Sequence, residues 1–268
     1  MVRLNDMEFN EIVTFVKTHY GIDLSKKKQL VESRLQSVLL EKGLTNFGDY
    51  FELIKMNNPA EVTTMLNKLT TNHTYFLREP AHFDFLKNVF LPKQEKTNLK
   101  KDIRIWSAGC SSGEEAFTTI MVMMEYFGMQ KSNWDFGILA TDISAKAMQA
   151  AQTGFYSEES LKNIPPAWLK KYFTRKPNDC FELNKEVREQ VTFRTLNLME
   201  HFAFKQPFDL IFCRNVMIYF DQPTKNALIN KFYDVLKLGG YLFIGHSETV
   251  QRDSSKFLYI EPSIYQKG

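Results

Sequence analysis

Ile103-Arg-Ile-Trp-Ser-Ala-Gly-Cys-Ser-Ser-Gly-Glu-Glu115, followed by Leu139-Ala-Thr-Asp-Ile143, decides the fold of this chain. The first segment reads as a buried strand, a turn of small residues and a helix start. The second reads as another strand that ends on a carboxylate. Small residues let a ligand approach the turn backbone closely, and the helix start offers N–H groups that lack intrahelical partners. Asp142 stands at the strand end, where a carboxylate can accept both hydroxyls of a ribose. The two segments together predict a site for a nucleoside-bearing cofactor.

What the turn lacks narrows the choice. A dinucleotide fold uses G-x-G-x-x-G under a pyrophosphate. Here Gly109 and Gly113 are spaced differently, and Glu114 and Glu115 follow at once. Two carboxylates repel a pyrophosphate and favour a cofactor carrying an ammonium and a sulfonium, which points to S-adenosylmethionine (SAM). The plainer reading of the pair is an acidic first turn that favours the helix dipole. A sharper rival is G-x-S-x-G at Gly109–Gly113, the nucleophile elbow of α/β-hydrolases, with Asp221 and His246 following in triad order. Against it, the residues before Lys101 read as helices rather than strands. Carboxylates directly behind Ser111 are also a poor place to stabilise an oxyanion.

Composition describes an ordinary globular protein: 268 residues, 44% hydrophobic and 24% charged. A net charge of +3 is too small to indicate nucleic acid. No run approaches the roughly 20 apolar residues of a membrane span. The N-terminal residues lack the apolar centre of a signal peptide, and three cysteines without C-x-x-C suit a reducing compartment. A cytoplasmic protein is expected. None of the five His shows H-E-x-x-H spacing, so no metal is expected.

Residues 1–71 predict a helical domain. Phe9, Ile12, Val13 and Val16, then Leu30, Val31, Leu35, Val38 and Leu39, recur at helical spacing, with breaks at Gly21, Gly43 and Asn58-Pro59. Residues 72–100 read as a linker and first helix. From 101 to 268 strands and helices alternate, which predicts an α/β doubly wound, mostly parallel sheet. Its strands are Ile103–Ser107, Phe136–Thr141, Phe208–Cys213 and Tyr241–Gly245, with a helix from Gln222 to Gly239-Gly240. Phe257–Ile260 and Ser263–Gln266 complete an antiparallel edge. A small antiparallel insertion is expected at about 157–196, with strands at Cys180–Leu183 and Val191–Leu196.

Several constellations could carry chemistry. Arg78, in Asn72-His-Thr-Tyr-Phe-Leu-Arg-Glu79, has the planar fork that binds a carboxylate. Arg214, Asn215 and Tyr219 follow a buried strand, so they should face the same crevice as Gly109 and Asp142. Asn197-Leu198 could read an adenine edge and cover its face. Ser25-Lys-Lys-Lys-Gln-Leu-Val-Glu-Ser-Arg34 reads as a basic helix, either a solvated face or a docking surface for an acidic helix.

Four segments together resemble the CheR family of bacterial chemotaxis receptor methyltransferases, over nearly the whole chain. They are Asn72-x-Thr74-x-Phe76-x-Arg78-Glu79, Ser111-Ser-Gly-Glu-Glu115, Cys213-Arg-Asn-Val-Met-Ile-Tyr-Phe220 and Gly245-His-Ser-Glu248. Ala116 departs from the proline common after the two glutamates. The resemblance implies methyl transfer from SAM to receptor glutamates, yielding S-adenosylhomocysteine. It implies SAM contacts from Asn72, Thr74, Arg78, Glu115, Asp142, Asn197, Leu198, Arg214 and Asn215, with Arg78 and Tyr219 beside the methyl. The implied partner is the cytoplasmic helical bundle of methyl-accepting receptors, met by Lys27, Lys28 and Arg34. A monomer recruited to receptor arrays follows, without nucleic acid or membrane insertion. Many members grip a receptor peptide through the insertion. The segments Lys176–Asp179 and Leu183–Val191, the latter read as the turn between the insertion strands, lack the glycine-rich loop associated with that grip.

Overall fold

A computed structural model describes residues 2–56, 59–70 and 73–268. Four helices come first: α1 (Asp6–Tyr20), α2 (Lys28–Lys42), α3 (Phe47–Lys55) and α4 (Pro59–Leu69). Asn5 and Glu8 cap the start of α1 reciprocally, and Gly21 and Gly43 end α1 and α2 in the left-handed conformation that glycine adopts freely. Asn58 of the expected break lies outside the described residues. Of the positions the helical spacing picks out, Phe9, Ile12, Val13, Val16, Val31, Leu35, Val38 and Leu39 are buried and Leu30 is half-buried.

A continuous helix follows, α5 (Ala81–Phe85) passing through one π turn into α6 (Leu91–Thr97). The rest alternates: β1 (Asp102–Ala108), α7 (Glu114–Phe127), β2 (Asp135–Asp142), α8 (Ala145–Thr153), β3 (Phe155–Ser157), α9 (Pro166–Tyr172), β4 (Phe173–Lys176), β5 (Cys180–Leu183), α10 (Lys185–Arg188) and β6 (Val191–Thr195). It closes with β7 (Phe208–Cys213), α11 (Gln222–Val235), β8 (Leu236–Ile244), β9 (Phe257–Glu261) and β10 (Ile264–Lys267). The main sheet has the order β6-β2-β1-β7-β8-β10-β9. Five strands are parallel neighbours and β10 is antiparallel to both of its own.

Both faces of this sheet are buried. Ile103, Ile105, Leu210, Phe212 and Phe243 pack under α5–α7. Trp106, Ala108, Ile211, Cys213 and Ile244 pack into a second layer that also takes in α11 and the N-terminal helices. Alternation along each central strand thus serves two apolar layers, as a doubly wound sheet requires.

Three expectations need correction. Val191–Thr195 does not belong to the insertion: β6 pairs in parallel with β2 at the edge of the main sheet. The small antiparallel sheet is β3-β5-β4, and its hairpin turns at Pro177-Asn178-Asp179, not between Leu183 and Val191. The helix from Gln222 ends at Val235, well short of Gly239-Gly240. Those glycines lie inside β8, where the register with β7 shifts between Phe208 and Leu210. A Cβ on Gly240 would lie 3.1 Å from the Asp209 carbonyl oxygen, so the close backbone approach demands a glycine.

His82 of α5 is fully buried and stacked on Phe243 at 5.2 Å; its Nδ1 lies 3.5 Å from Glu79 Oε2, and among the described residues neither ring nitrogen has a hydrogen-bond partner. Burial, with Arg214 and His246 adding to it against Glu79, pushes its pKa down to about 3. The unfolded chain therefore binds this proton first as pH falls. The stability is complete above pH ~6.5 and is lost between there and the folded value. The wild type should lose about 1.4 kcal/mol from this group between pH 7.5 and 5.5. His82→Phe should remove that part of the pH dependence, measured as urea unfolding free energies at both pH values. Equal losses in the two proteins would refute the assignment.

Candidate active site

Strand order reverses between β1 and β7, and there a cleft opens at the carboxyl ends of the strands, as in other open α/β sheets. Its free space is about 1020 Å³, open solvent at the mouth included. Thr74, Arg78, Glu115, Asp142, Asn197, Leu198, Arg214, Asn215 and Tyr219 all line it. Asn72 lies outside the described residues. The turn after β1 crosses the floor. Gly109 has φ +85°, and a Cβ there would come within 2.3 Å of Val216 Cγ2.

Asp142 is oriented by backbone: Ser111 N–H donates to Oδ2 and Ser144 N–H to Oδ1, each at 2.8 Å. Burial raises its pKa and these N–H groups oppose the rise. Each carboxylate oxygen keeps a lone pair for a diol.

Arg214 forms the centre of a buried polar knot. Its Nε donates to Glu79 at 3.2 Å, one Nη to Glu115 at 3.1 Å, and the other Nη to the Arg78 carbonyl oxygen. Ser107 Oγ donates to the second Glu115 oxygen at 2.6 Å. Burial raises the Glu115 pKa while Arg214 and Ser107 pull it down. Burial also works to raise Glu79, yet Arg214, the His246 N–H and Asn215 hold it below the usual carboxylate range.

Two sequence arguments change here. Glu114 does not face the cleft; it is buried and accepts from Ser112 Oγ at 2.8 Å. The acidic pair is therefore one carboxylate at the cleft, already matched to a guanidinium. The Asn197 amide is also committed, donating to the His19 carbonyl oxygen at 2.7 Å and accepting from Met199 N–H at 3.0 Å. It braces the end of α1 as well as facing the cleft.

The hydrolase reading fails on geometry. Asp221 caps α11 through Thr224 N–H and pairs with Lys17 at 2.8 Å, and neither it nor the exposed His246 lines the cleft. Among the described residues, Glu79, His82 and His246 bring metal-ligand atoms within 4.8 Å of one another. The Arg214 guanidinium 3.2 Å from the Glu79 carboxylate opposes a cation there.

Sequence reasoning missed Tyr20 and Ile22, which line the cleft from the last residue of α1 and just beyond it. Nothing local marks them; they arrive because Ile22 bridges to Phe220 across the domains.

Comparison with known proteins decides the family. The all-alpha domain of CheR methyltransferases matches residues 7–70, and their SAM-binding domain matches residues 72–265. The chain belongs to the CheR methyltransferase family. A chemotaxis protein methyltransferase of Borreliella burgdorferi is 44% identical over 273 residues, covering 100% of this chain and 96% of the relative. One from Escherichia coli is 35% identical over 268 residues, covering 98% and 91%. This CheR-family protein is thus a SAM-dependent methyltransferase.

The cleft fits that cofactor. Ser111 Oγ is buried at its wall without a hydrogen-bond partner among the described residues, as a group awaiting a ligand atom would be. Asp142 suits a ribose diol, and Arg78 has donors free for a carboxylate. Asp142→Ala should weaken SAM binding at least tenfold by calorimetry, since hydrogen bonds to a charged group contribute about 1.5–3 kcal/mol each. An unchanged dissociation constant in a folded variant would refute the ribose assignment. Ser111→Ala should retain most methyl transfer, and a fluorophosphonate should leave Ser111 unlabelled; a labelled serine would restore the hydrolase.

Proposed function

We propose that this protein transfers methyl from SAM to glutamate side chains on the cytoplasmic helices of chemotaxis receptors, with Arg78 and Tyr219 as its catalytic residues. The observation that carries the reading is Arg78: half-buried at the cleft, it donates to the His73 carbonyl oxygen at 2.7 Å and meets no carboxylate among the described residues. Its remaining donors can take a substrate carboxylate, and Tyr219 lines the same cleft. When bound, SAM supplies a methyl on a cationic sulfur; a carboxylate oxygen that takes it forms an ester and leaves S-adenosylhomocysteine. A glutamate is already ionised at neutral pH, so no general base is required. Arg78 orients the carboxylate and the Tyr219 hydroxyl donates to it, which holds the nucleophile in line with the methyl.

The basic segment adjoins this centre. Lys27 Nζ lies 5.8 Å from the centre of the Tyr219 ring. Helix α2 begins at Lys28, the last residue of the basic run, so Lys26–Lys28 sit at its positive end. That placement opposes the helix dipole and concentrates positive potential beside the cleft, which suits an acidic receptor helix. Arg34 has a different role: its guanidinium donates to the Leu69 carbonyl oxygen at 2.8 Å and caps the end of α4. Lys28 pairs with Asp6 across the surface. Recognition thus rests on Lys27 and Lys28, with Arg34 supporting the domain. The insertion hairpin turns tightly through Asn178 and Asp179, at φ 60° and 49°, without a glycine-rich loop. We read this as recognition without a receptor peptide tether by a monomeric enzyme. No helix among the described residues is long and apolar enough to cross a membrane.

Radiolabelled SAM with cognate receptor membranes should give base-labile label on the receptor; label that resists base would overturn the ester. Tyr219→Phe should lower turnover more than SAM affinity, and Arg78→Lys should be damaging because a point charge does not replace the fork. Rates within twofold of wild type for both would remove their catalytic assignment. Reversing Lys27 and Lys28 to Glu should abolish receptor methylation while calorimetric SAM binding persists. Methylation should also fall steeply with salt, since exposed charges are screened over about 8–10 Å. Silent reversals, or loss of methylation on deleting only the receptor's C-terminal residues, would overturn the recognition scheme.

A further inference from the structure

We propose that Glu79 is a positioning residue, whose carboxylate, locked onto Arg214, fixes the strained backbone that aims Arg78 into the cleft. The inference rests on the catalytic reading of Arg78. It starts from backbone geometry: Arg78 sits between Leu77 and Glu79, both with φ 56°. Neither is glycine or asparagine, and such residues hold the left-handed conformation only where their surroundings impose it. Two anchors precede the loop, Phe76 N–H on the Ser160 carbonyl oxygen at 3.1 Å and Leu77 N–H on Thr118 Oγ1 at 3.3 Å.

Beyond Arg78 the anchor is Glu79. Its Oε2 accepts from Arg214 Nε at 3.2 Å, and its Oε1 from Asn215 Nδ2 and the His246 N–H, each at 3.3 Å. The same Arg214 donates to the carbonyl oxygen of Arg78 itself. One ion pair therefore holds the residue after Arg78 by its side chain and Arg78 by its backbone. Glu79 does not line the cleft, so it acts through the groups it holds and not on the ligand. Arg214 is supported from the far side by Glu115, so loss of Glu79 leaves the guanidinium one partner while freeing the loop.

The test is a double-mutant cycle on initial methylation rates at saturating SAM and receptor. Glu79→Gln keeps size and one acceptor but loses the ion pair, and alone it should slow turnover at least tenfold. In an Arg78→Ala background, already slow, the same change should cost less than twofold, because the group being positioned is gone. An equal factor in both backgrounds would show a general structural role and overturn the proposal. So would a Glu79→Gln rate within twofold of wild type. If Glu79→Gln does not fold, Glu79→Asp, which keeps the charge on a shorter arm, enters the same cycle with the same criteria. An Arg78→Ala rate equal to wild type would instead sink the catalytic reading of Arg78, which is a separate result.

Discussion

The site depends on a guanidinium held between two carboxylates. Arg214 is almost wholly withdrawn from water, with Glu79 and Glu115 on either side. Taking such a charge from water costs several kcal/mol unless it is paired, and removing one partner of a buried pair costs about 3–5 kcal/mol. The knot ties the loop before α5, the start of α7 and the end of β7 into one body. Ser107 adds β1 through its bond to Glu115. At the cleft itself two carboxylates, Glu115 and Asp142, stand with two guanidiniums, Arg78 and Arg214.

Much of this was legible because it is local. A buried strand, a small-residue turn, a helix start and a carboxylate at the next strand end are patterns within a few residues, and the structure places Gly109, Glu115 and Asp142 together. Glu114 was misread because consecutive helical residues point about 100° apart, so only one of two adjacent carboxylates can face the cleft. Val191–Thr195 was misplaced because an outermost parallel strand, covered unevenly, alternates like an antiparallel one. Asn197 was read as an adenine reader, and sequence could not show that its amide also serves the carbonyl oxygen of His19, 178 residues away.

The N-terminal helices illustrate the same limit at domain scale. Their apolar spacing announces a bundle but not where it docks. The structure joins them to the cleft through the Ile22–Phe220 bridge, the Asp23 N–H on the Tyr219 carbonyl oxygen at 2.8 Å, and the Lys17–Asp221 pair. All three contacts fall within two residues of Tyr219. The basic start of α2 is thereby held beside the hydroxyl proposed to meet the substrate. Recognition and chemistry share one short stretch of backbone.

A reaction that needs no proton transfer leaves the protein one main task, which is to hold groups still. Glu248 shows how the second of them is held. Its buried carboxylate accepts the N–H groups of Gly245 at 2.6 Å, Asn215 at 3.0 Å and Ile218 at 3.1 Å, fixing the turn that presents Tyr219. Burial raises its pKa and those N–H groups oppose the rise. Arg78 and Tyr219 thus stand on two irregular segments, and each segment is gathered by a carboxylate that never enters the cleft. An irregular loop gives a side chain the direction that a helix or strand would not, and a buried carboxylate restores the rigidity such a loop lacks. Order set before the substrate arrives need not be gained in the transition state, which is where in-line transfer benefits most.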